Sequence, residues 1–367
     1  MRLQLSHFWL CAALLVCATV ARAAVLPEDR VDAMYHYYSG GGTKVDGPAL
    51  LVRKGFGEQL SVYASYYADN ISGASIDVVT TASPYKETRQ EQGVGVDYLF
   101  RNTTMNLAYS MSDEPDYIAN TMGVNIAHEI ADGLTTVSLG YTVGRDEVGK
   151  VDTGFKDDIN RYSYRLGLSQ VFTKTFVMSV EYEGILEEGF LNSPYRAARL
   201  QGLLVPESYP GTRDSYAIAV RAVKGLTTKD DQLDSALRFG YRYFWDTWEI
   251  SAHTLEASFQ KRTTERWLGE LHYRYYQQSA ASFYSDNFAS AMTFMARDKE
   301  LSTFQSHTVG VKATYKMFER RHGFNRATAT LGYDFMHFTY DDFTDVRNGK
   351  PYAFDAHVVQ LFVSGWF

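Results

Sequence analysis

The stretch His357–Phe367, HVVQLFVSGWF, decides the fold. Val359, Leu361, Val363, Gly365 and Phe367 recur at every second position, with His357 at the margin; Gln360 and Ser364 hold the other phase together with Phe362 and Trp366. A period of two lays one apolar face along a β-strand. A soluble domain buries such a strand or follows it with polar residues, and this one stops on an aromatic side chain. The expectation is therefore a strand whose apolar face meets hydrocarbon.

The amino terminus supports that reading. Arg2 is followed by the uncharged run Phe8 to Ala21 and then by Arg22-Ala23. The run falls short of the roughly 20 residues that a spanning helix needs. Residues 1–23 read as a secretory signal peptide cut before Ala24, leaving 24–367 as one barrel domain. Cys11 and Cys17 both lie inside this segment, so the exported chain carries no thiol or disulfide, and Leu14-Leu15-Val16 ahead of Cys17 does not fit a lipoprotein signal. The formal net charge is −7, and more negative still once Arg2 and Arg22 are gone. That balance excludes a nucleic-acid partner, whose phosphates demand a basic face. No later apolar run reaches helix-spanning length, so a membrane protein here has to be a barrel. With 27 Tyr and 22 Phe the chain is well supplied for interfacial girdles.

From Val31 onward the alternation repeats. Leu60, Val62, Ala64, Tyr66 and Ala68 share a face, as do Val94, Val96, Tyr98 and Phe100, and Val309, Val311, Ala313 and Tyr315. Sixteen such runs can be marked, each about as deep as a tilted strand crossing hydrocarbon. The predicted fold is all-β: a transmembrane antiparallel up-and-down β-barrel of about sixteen strands, with short periplasmic turns and long extracellular loops. The longest polar stretches, read as loops, are Asn70 to Gln92, Arg145 to Asn160, Glu187 to Thr212 and Gln277 to Gln305. The last strand closes against the first. Val359, Leu361, Val363 and Phe367 have the form of a signal read by the outer-membrane assembly machinery.

Residues in the other phase should line the lumen: Arg165, Glu181, Glu183, Arg221, Arg238, Arg242, Glu256, Glu270, His272, Arg274, Lys312 and Asp334. A charge facing lipid at the midplane costs about 2–4 kcal/mol, so their phase agrees with the inside assignment. Opposite signs on neighbouring strands can pair, each pair contributing roughly 0.2–1 kcal/mol. Two readings stay open: a polarised lumen that selects small charged or polar solutes, and mixed charges that satisfy one another in a wet interior. Tyr273, Tyr275 and Tyr276 suit a girdle better than a sugar track. Asp146, Glu147, Asp152, Asp157 and Asp158 fit no calcium-loop spacing and read as a solvated acidic loop. The histidines are scattered. His272 beside Glu270 and Arg274 is the best candidate for acid–base work, yet it reads as part of the lumen network. No catalytic residue, metal site or cofactor is expected.

Several stretches carry a resemblance: SIDVVTTASPY (75–85), TTVSLGY (135–141), GFLNSPYR (189–196), ESYPGTR (207–213), YRYFWDTWEISAHTLE (241–256), YRYYQQSAASFYSD (273–286) and SHTVGVK (306–312). They are similar to a domain-of-unknown-function family of proteobacterial outer-membrane β-barrel proteins. The resemblance implies the barrel and its location in the Gram-negative outer membrane. It also implies a neighbourhood of a small lipoprotein, a thioredoxin-like protein and a flavin transferase, and hence an extracytoplasmic redox system. The expected function is a porin-like channel for small polar or charged solutes. The alternative is a non-conducting scaffold for a lipoprotein or flavoprotein partner, with Asn70 to Gln92, Glu187 to Thr212 and Gln277 to Gln305 as contact surfaces. Other expected partners are outer-membrane lipid, lipopolysaccharide and the assembly machinery.

Overall fold

A computed structural model describes residues 24–73, 85–151, 153–227, 233–321 and 323–367. Residues 1–23, read above as a signal peptide, most of SIDVVTTASPY, Asp152 and His322 lie outside the described residues. The first nine strands are β1 (Arg30–Gly40), β2 (Thr43–Phe56), β3 (Leu60–Gly73), β4 (Tyr85–Phe100), β5 (Thr103–Glu114), β6 (Tyr117–Ile130), β7 (Thr135–Lys150), β8 (Phe155–Thr173) and β9 (Phe176–Gly189). A short hairpin follows, β10 (Ala197–Leu200) and β11 (Leu203–Pro206). The rest are β12 (Thr212–Thr227), β13 (Leu233–Asp246), β14 (Ser251–Arg262), β15 (Trp267–Gln278), β16 (Phe304–Arg321), β17 (Phe324–Asp345) and β18 (Lys350–Trp366). All but the β10–β11 hairpin join in one closed antiparallel barrel of sixteen strands, as the alternation predicts. Closure pairs β1 with β18, placing Tyr35 opposite Leu361 and His36 opposite Gln360.

Every strand turns large apolar side chains outward. Leu50, Val96, Leu107, Val124, Leu139, Leu166, Val180, Ile218, Phe239, Leu255, Leu271, Val311, Leu331 and Leu361 are all exposed. In water this belt would far exceed the few hundred Å² that a soluble monomer leaves bare. It is a surface for hydrocarbon. At the end holding the chain termini the belt is edged by tilted or edge-on ring pairs, Phe172 with Phe176, Trp267 with Tyr315 and Phe324 with Phe367. At the far end, one cross-strand diagonal recurs three times: the Tyr241, Tyr273 and Tyr333 hydroxyls each lie 2.8 Å from Nδ1 of His253, His307 and His357. Along β18 these edges are ten residues apart, His357 to Phe367. At a rise of about 2.5 Å per residue for a strand tilted about 40°, that is roughly 25 Å, the height of the apolar band in such barrels.

Two sequence expectations need correction. Arg145 to Asn160 is not a loop. β7 runs to Lys150 and β8 starts at Phe155, with Glu147 opposite Asp158 in a continuing ladder. Likewise β3 reaches Gly73 and β4 begins at Tyr85, inside the stretch read as loop from Asn70 to Gln92. Above the lipid both faces of a hairpin meet water, so the hydropathy alternation stops while the backbone pairing does not. Several far-end connections are as tight as the terminal-end ones. The chain reverses within 41–42 and 115–116 at the far end and within 101–102 at the other. The long connections are 190–211 and 279–303.

Candidate functional site

Directly opposed residues in a sheet share a face, and the pairing puts all twelve sequence-selected charges on the inner one. Arg165 opposes Glu183, Gln260 opposes Glu270, Glu270 opposes Lys312, and Glu256 opposes Arg274. They gather into two clusters and a separate pair. In the first cluster Arg165 lies 2.9 Å from Glu183 and 3.8 Å from Glu181, Arg221 reaches Glu181 at 4.0 Å, and Arg242 reaches Glu183 at 3.5 Å. In the second, Glu270 receives Arg238 at 3.5 Å, Lys312 at 3.9 Å and His272 at 3.8 Å, while His272 Nε2 stands 2.8 Å from Asp334. Arg274 and Glu256 are 3.4 Å apart. Gly310 makes the second cluster possible: a Cβ there would overlap both the His272 ring and Asp334 Oδ1. Ser258 faces His272 across the β14–β15 pair. Among the described residues no hydrogen bond joins them, and His272 Nδ1 makes no hydrogen bond, with Glu270 its nearest carboxylate at 3.8 Å.

The facing wall differs. On β4 to β7 the inward positions include Gly93, Gly95, Asn106, Ser110, Gly123, Asn125, Gly140 and Thr142. This wall is small, polar and largely uncharged at the level of the lipid belt. Tyr63 lies flat over Gly95, where a Cβ would meet its ring.

Sequence reasoning missed a further set of inward pairs. Arg161 bonds Asp146 at 2.9 Å and Glu187 at 2.8 Å; Arg213 grips Asp246 with Nε at 2.9 Å and Nη2 at 2.6 Å. Arg53 pairs with Asp97, and His36 with Asp69 at 2.7 Å while stacking on Tyr67. The signal was available. Arg161 shares the phase of Arg165, and Glu187 that of Glu183, but Glu187 sat in a stretch taken for loop and Arg161 directly after one. Tyr276 also differs from its expected place. It is out of phase with Tyr273 and Tyr275, which flank His307 on the outer face, and it faces the lumen.

The two long connections pack on each other at the far mouth. Leu200 bridges Phe288, and Ser208 bridges Met295. Ala281, Phe283, Ala296 and Leu301 bury themselves against Trp248 and Ile250 of the β13–β14 turn, with Leu191, Tyr209 and Phe244 at the margin. That turn is set by Asp246, whose Oδ1 accepts from the backbone N–H groups of Trp248 at 3.0 Å and Ile250 at 2.9 Å. Arg297, 2% exposed, ties the cap to the wall. Its Nε donates to Asp286 at 2.9 Å, its Nη2 to the Thr344 carbonyl at 3.1 Å, and its guanidinium lies over Phe343. Beneath the cap is a cavity of about 400 Å³. Arg161 and Glu187 look across it at Asp298, Glu300 and Leu301, with Arg213, Arg242, Trp248 and Tyr276 between. Lys299 and Glu300 come close enough to Tyr38 of β1 for their charges to act on its hydroxyl. The short turn Lys299–Leu301 therefore hangs inside the mouth rather than outside it. Burial first, then the charges of Asp298 and Glu207, push the Tyr209 phenol up, so it stays a donor to Glu207 at 2.7 Å.

Above the lipid, Glu87, Glu114 and Asp116 converge closely enough to hold a cation. Burial, then the negative charges of Asp116 and Glu114, push the Glu87 carboxyl up to about 7.

Residues 150–331 match the family described as Protein of unknown function (DUF3570). The likeness to that family is confined to this stretch, just under half of the chain. The match is narrower than the resemblance suggested, since SIDVVTTASPY and TTVSLGY fall outside it. The DUF3570 region begins just before β8 and runs into β17, so the charged wall from Arg161 to Lys312 and the whole cap lie within it. No curated protein matches the chain. Among solved structures the fold is similar to a bacterial polysaccharide outer membrane secretin, with a TM-score of 0.52 at 8% identity, covering 93% of this chain and 100% of that one. OmpT of Vibrio cholerae gives 0.47 at 9% identity, covering 94% and 100%. The siderophore receptor PirA from Pseudomonas aeruginosa gives 0.47 at 11% identity; 87% of this chain is covered, and it spans 60% of that receptor's length. The chain has the fold of an outer-membrane β-barrel.

Proposed function

We propose that this barrel is a porin-like channel of the Gram-negative outer membrane, passing small polar or charged solutes and narrowed at its far mouth by the packed loops 190–211 and 279–303. Export through a cleaved signal peptide and insertion by the outer-membrane assembly machinery belong to the same reading, as does a role without catalysis. The observation that carries it is solvent access inside a closed ring of strands. Arg221 and Arg165 are 58% and 50% exposed although they face inward. Guanidinium groups left this bare need water, so the interior is wet, and a wet interior open along the barrel conducts. Purified protein in planar bilayers should give stepwise ion currents. Persistent silence, with the protein shown to be folded, refutes the reading.

The second reading is a non-conducting scaffold for a small lipoprotein or flavoprotein in an extracytoplasmic redox system. The cap favours it, because an apolar core built from two loops is a way to close a mouth. A closed barrel that copurifies with a lipoprotein would support this second function.

A further inference from the structure

We infer that the lumen admits small oxyanions, carboxylates foremost, in preference to cations. This rests on the channel reading and names its solutes. The inner wall from β8 to β16 carries both signs of charge, but the two signs are not equally presented. The guanidinium groups of Arg221, Arg165 and Arg238 stand half-exposed in the lumen, whereas Glu270, Glu183 and Glu181 are 12%, 21% and 35% exposed. Glu256 is as open as the arginines, with Arg274 beside it. A solute entering this space therefore meets donors before acceptors.

The cations are also regularly placed. Arg221 opposes Gly240, halfway between Arg238 and Arg242 on β13. The row of Arg165, passing through Glu183 and Ala217, meets β13 at Phe244, two residues beyond Arg242. Arg238, Arg221, Arg242 and Arg165 thus climb the wall in steps of two residues, about 7 Å each. The staircase ends below the cap at Arg161 and Arg213. Several of these groups keep unused capacity. Among the described residues Arg221 has one carboxylate contact, at 4.0 Å, and Arg242 reaches Glu183 at 3.5 Å. A guanidinium offers five N–H donors in a planar fork that matches a carboxylate. The opposite wall, lined by Gly95, Asn106, Gly123 and Asn125, adds little charge to compete and leaves room for the solute.

The test is a reversal-potential measurement in planar bilayers under a potassium chloride gradient near 0.1 M. A lumen potential of about one kT enriches anions and depletes cations by the same factor, so the permeability ratio should favour chloride roughly seven-fold. It should fall toward unity at 1 M, where charges are screened within about 3 Å. Millimolar citrate should block the chloride current. Replacing Arg221, Arg238 and Arg242 together by Gln should bring the ratio to about one and abolish the block. The matching Lys variant controls for folding: it should keep the chloride preference and bind citrate less well. A wild-type ratio at or below one, or a Gln variant that behaves as wild type, overturns the inference while leaving the channel standing. If no current flows, the channel reading fails by itself, and citrate titrated onto detergent-solubilised protein, followed by tryptophan fluorescence, decides the inference. Saturable binding lost in the Gln variant supports it, and no binding overturns it.

Discussion

Leu361 and Gln360 are consecutive residues of β18 with opposite surroundings, and an arginine placed at each tests the whole assignment of inside and outside. Leu361 is exposed on the apolar belt opposite Leu331, whereas Gln360 lies inward between Gly332 and His36. Leu361 is six residues from the aromatic edge at Phe367, or about 15 Å along the membrane normal at about 2.5 Å per residue, in a band roughly 25 Å tall. That is close to the midplane, where an arginine costs about 2–4 kcal/mol against 0–1 near the interfaces. Leu361→Arg should therefore destabilise the folded barrel by about 3 kcal/mol, while Gln360→Arg, entering a wet lumen, should change it by less than about 1 kcal/mol. The assay is reversible urea unfolding of purified protein in phospholipid vesicles, so that insertion in the cell does not enter the comparison. Equal costs at the two positions, or a larger one at Gln360, would refute the outward assignment of the apolar face and the channel built on it.

Trp248→Ala removes the centre of the apolar core shared by the two cap loops, where the indole packs edge-on against Phe283 and Tyr209. A loss of about 3–5 kcal/mol, usual for truncating a buried aromatic, would free the cap from the wall. Proteolytic cleavage within 190–211 and 279–303 should rise and single-channel conductance increase; unchanged cleavage would count against a packed cap. Glu87 supplies a pH dependence. Its carboxyl is raised in the fold from the ordinary 4.5 to about 7, chiefly by burial and then by Asp116 and Glu114. The folded state thus holds the proton more tightly than the unfolded chain. The stability this contributes is complete below about 4.5 and is lost as pH rises through about 7. Opening of the paired ends of β4 and β5, followed by hydrogen exchange relative to a Glu87→Gln variant at each pH, should grow from pH 5 to pH 8 in the wild type alone. An unchanged ratio between the two proteins would contradict it.

The barrel was legible in the sequence because its cause is local. Each lipid-facing position is apolar for its own sake, so Leu361, Leu331 and Val311 announce their side without reference to any partner. Strand ends were not legible. Beyond the lipid, Glu147 and Asp158 are both polar although they pair across a ladder, and nothing in hydropathy separates such a hairpin from a loop. The inner charges were found where they sat within the apolar alternation, as with Arg238 and Glu270, and missed where the strand continues past it, as with Arg161 and Arg213. Tyr276 was misplaced because an aromatic residue suits a girdle and a cavity equally well; its phase, out of step with Tyr273 and Tyr275, decides between them. The cap could not be read at all. Trp248, Phe283 and Leu301 are far apart in the chain, and their contact is a consequence of the closed ring.

The two halves of the lumen are built on different terms, and the division coincides with the family match. From β4 to β7 the wall at the level of the lipid belt is made mostly of small residues, Gly93, Gly95, Ser110, Gly123 and Gly140 among them, so it leaves width. From β8 to β16 it is made of long charged side chains that fill space and present donors, and the connections that fold into the mouth, 190–211 and 279–303, both spring from this half. The matched residues 150–331 take in the second half and leave most of the first outside. A barrel that needed merely to enclose water could distribute its charges around the ring, since any pair on neighbouring strands satisfies itself equally well. Gathering most of the solvent-exposed ones on one wall, beneath a cap anchored to that same wall, concentrates the field along that side of the lumen, and in the proposed channel that is where a passing ion would be sorted.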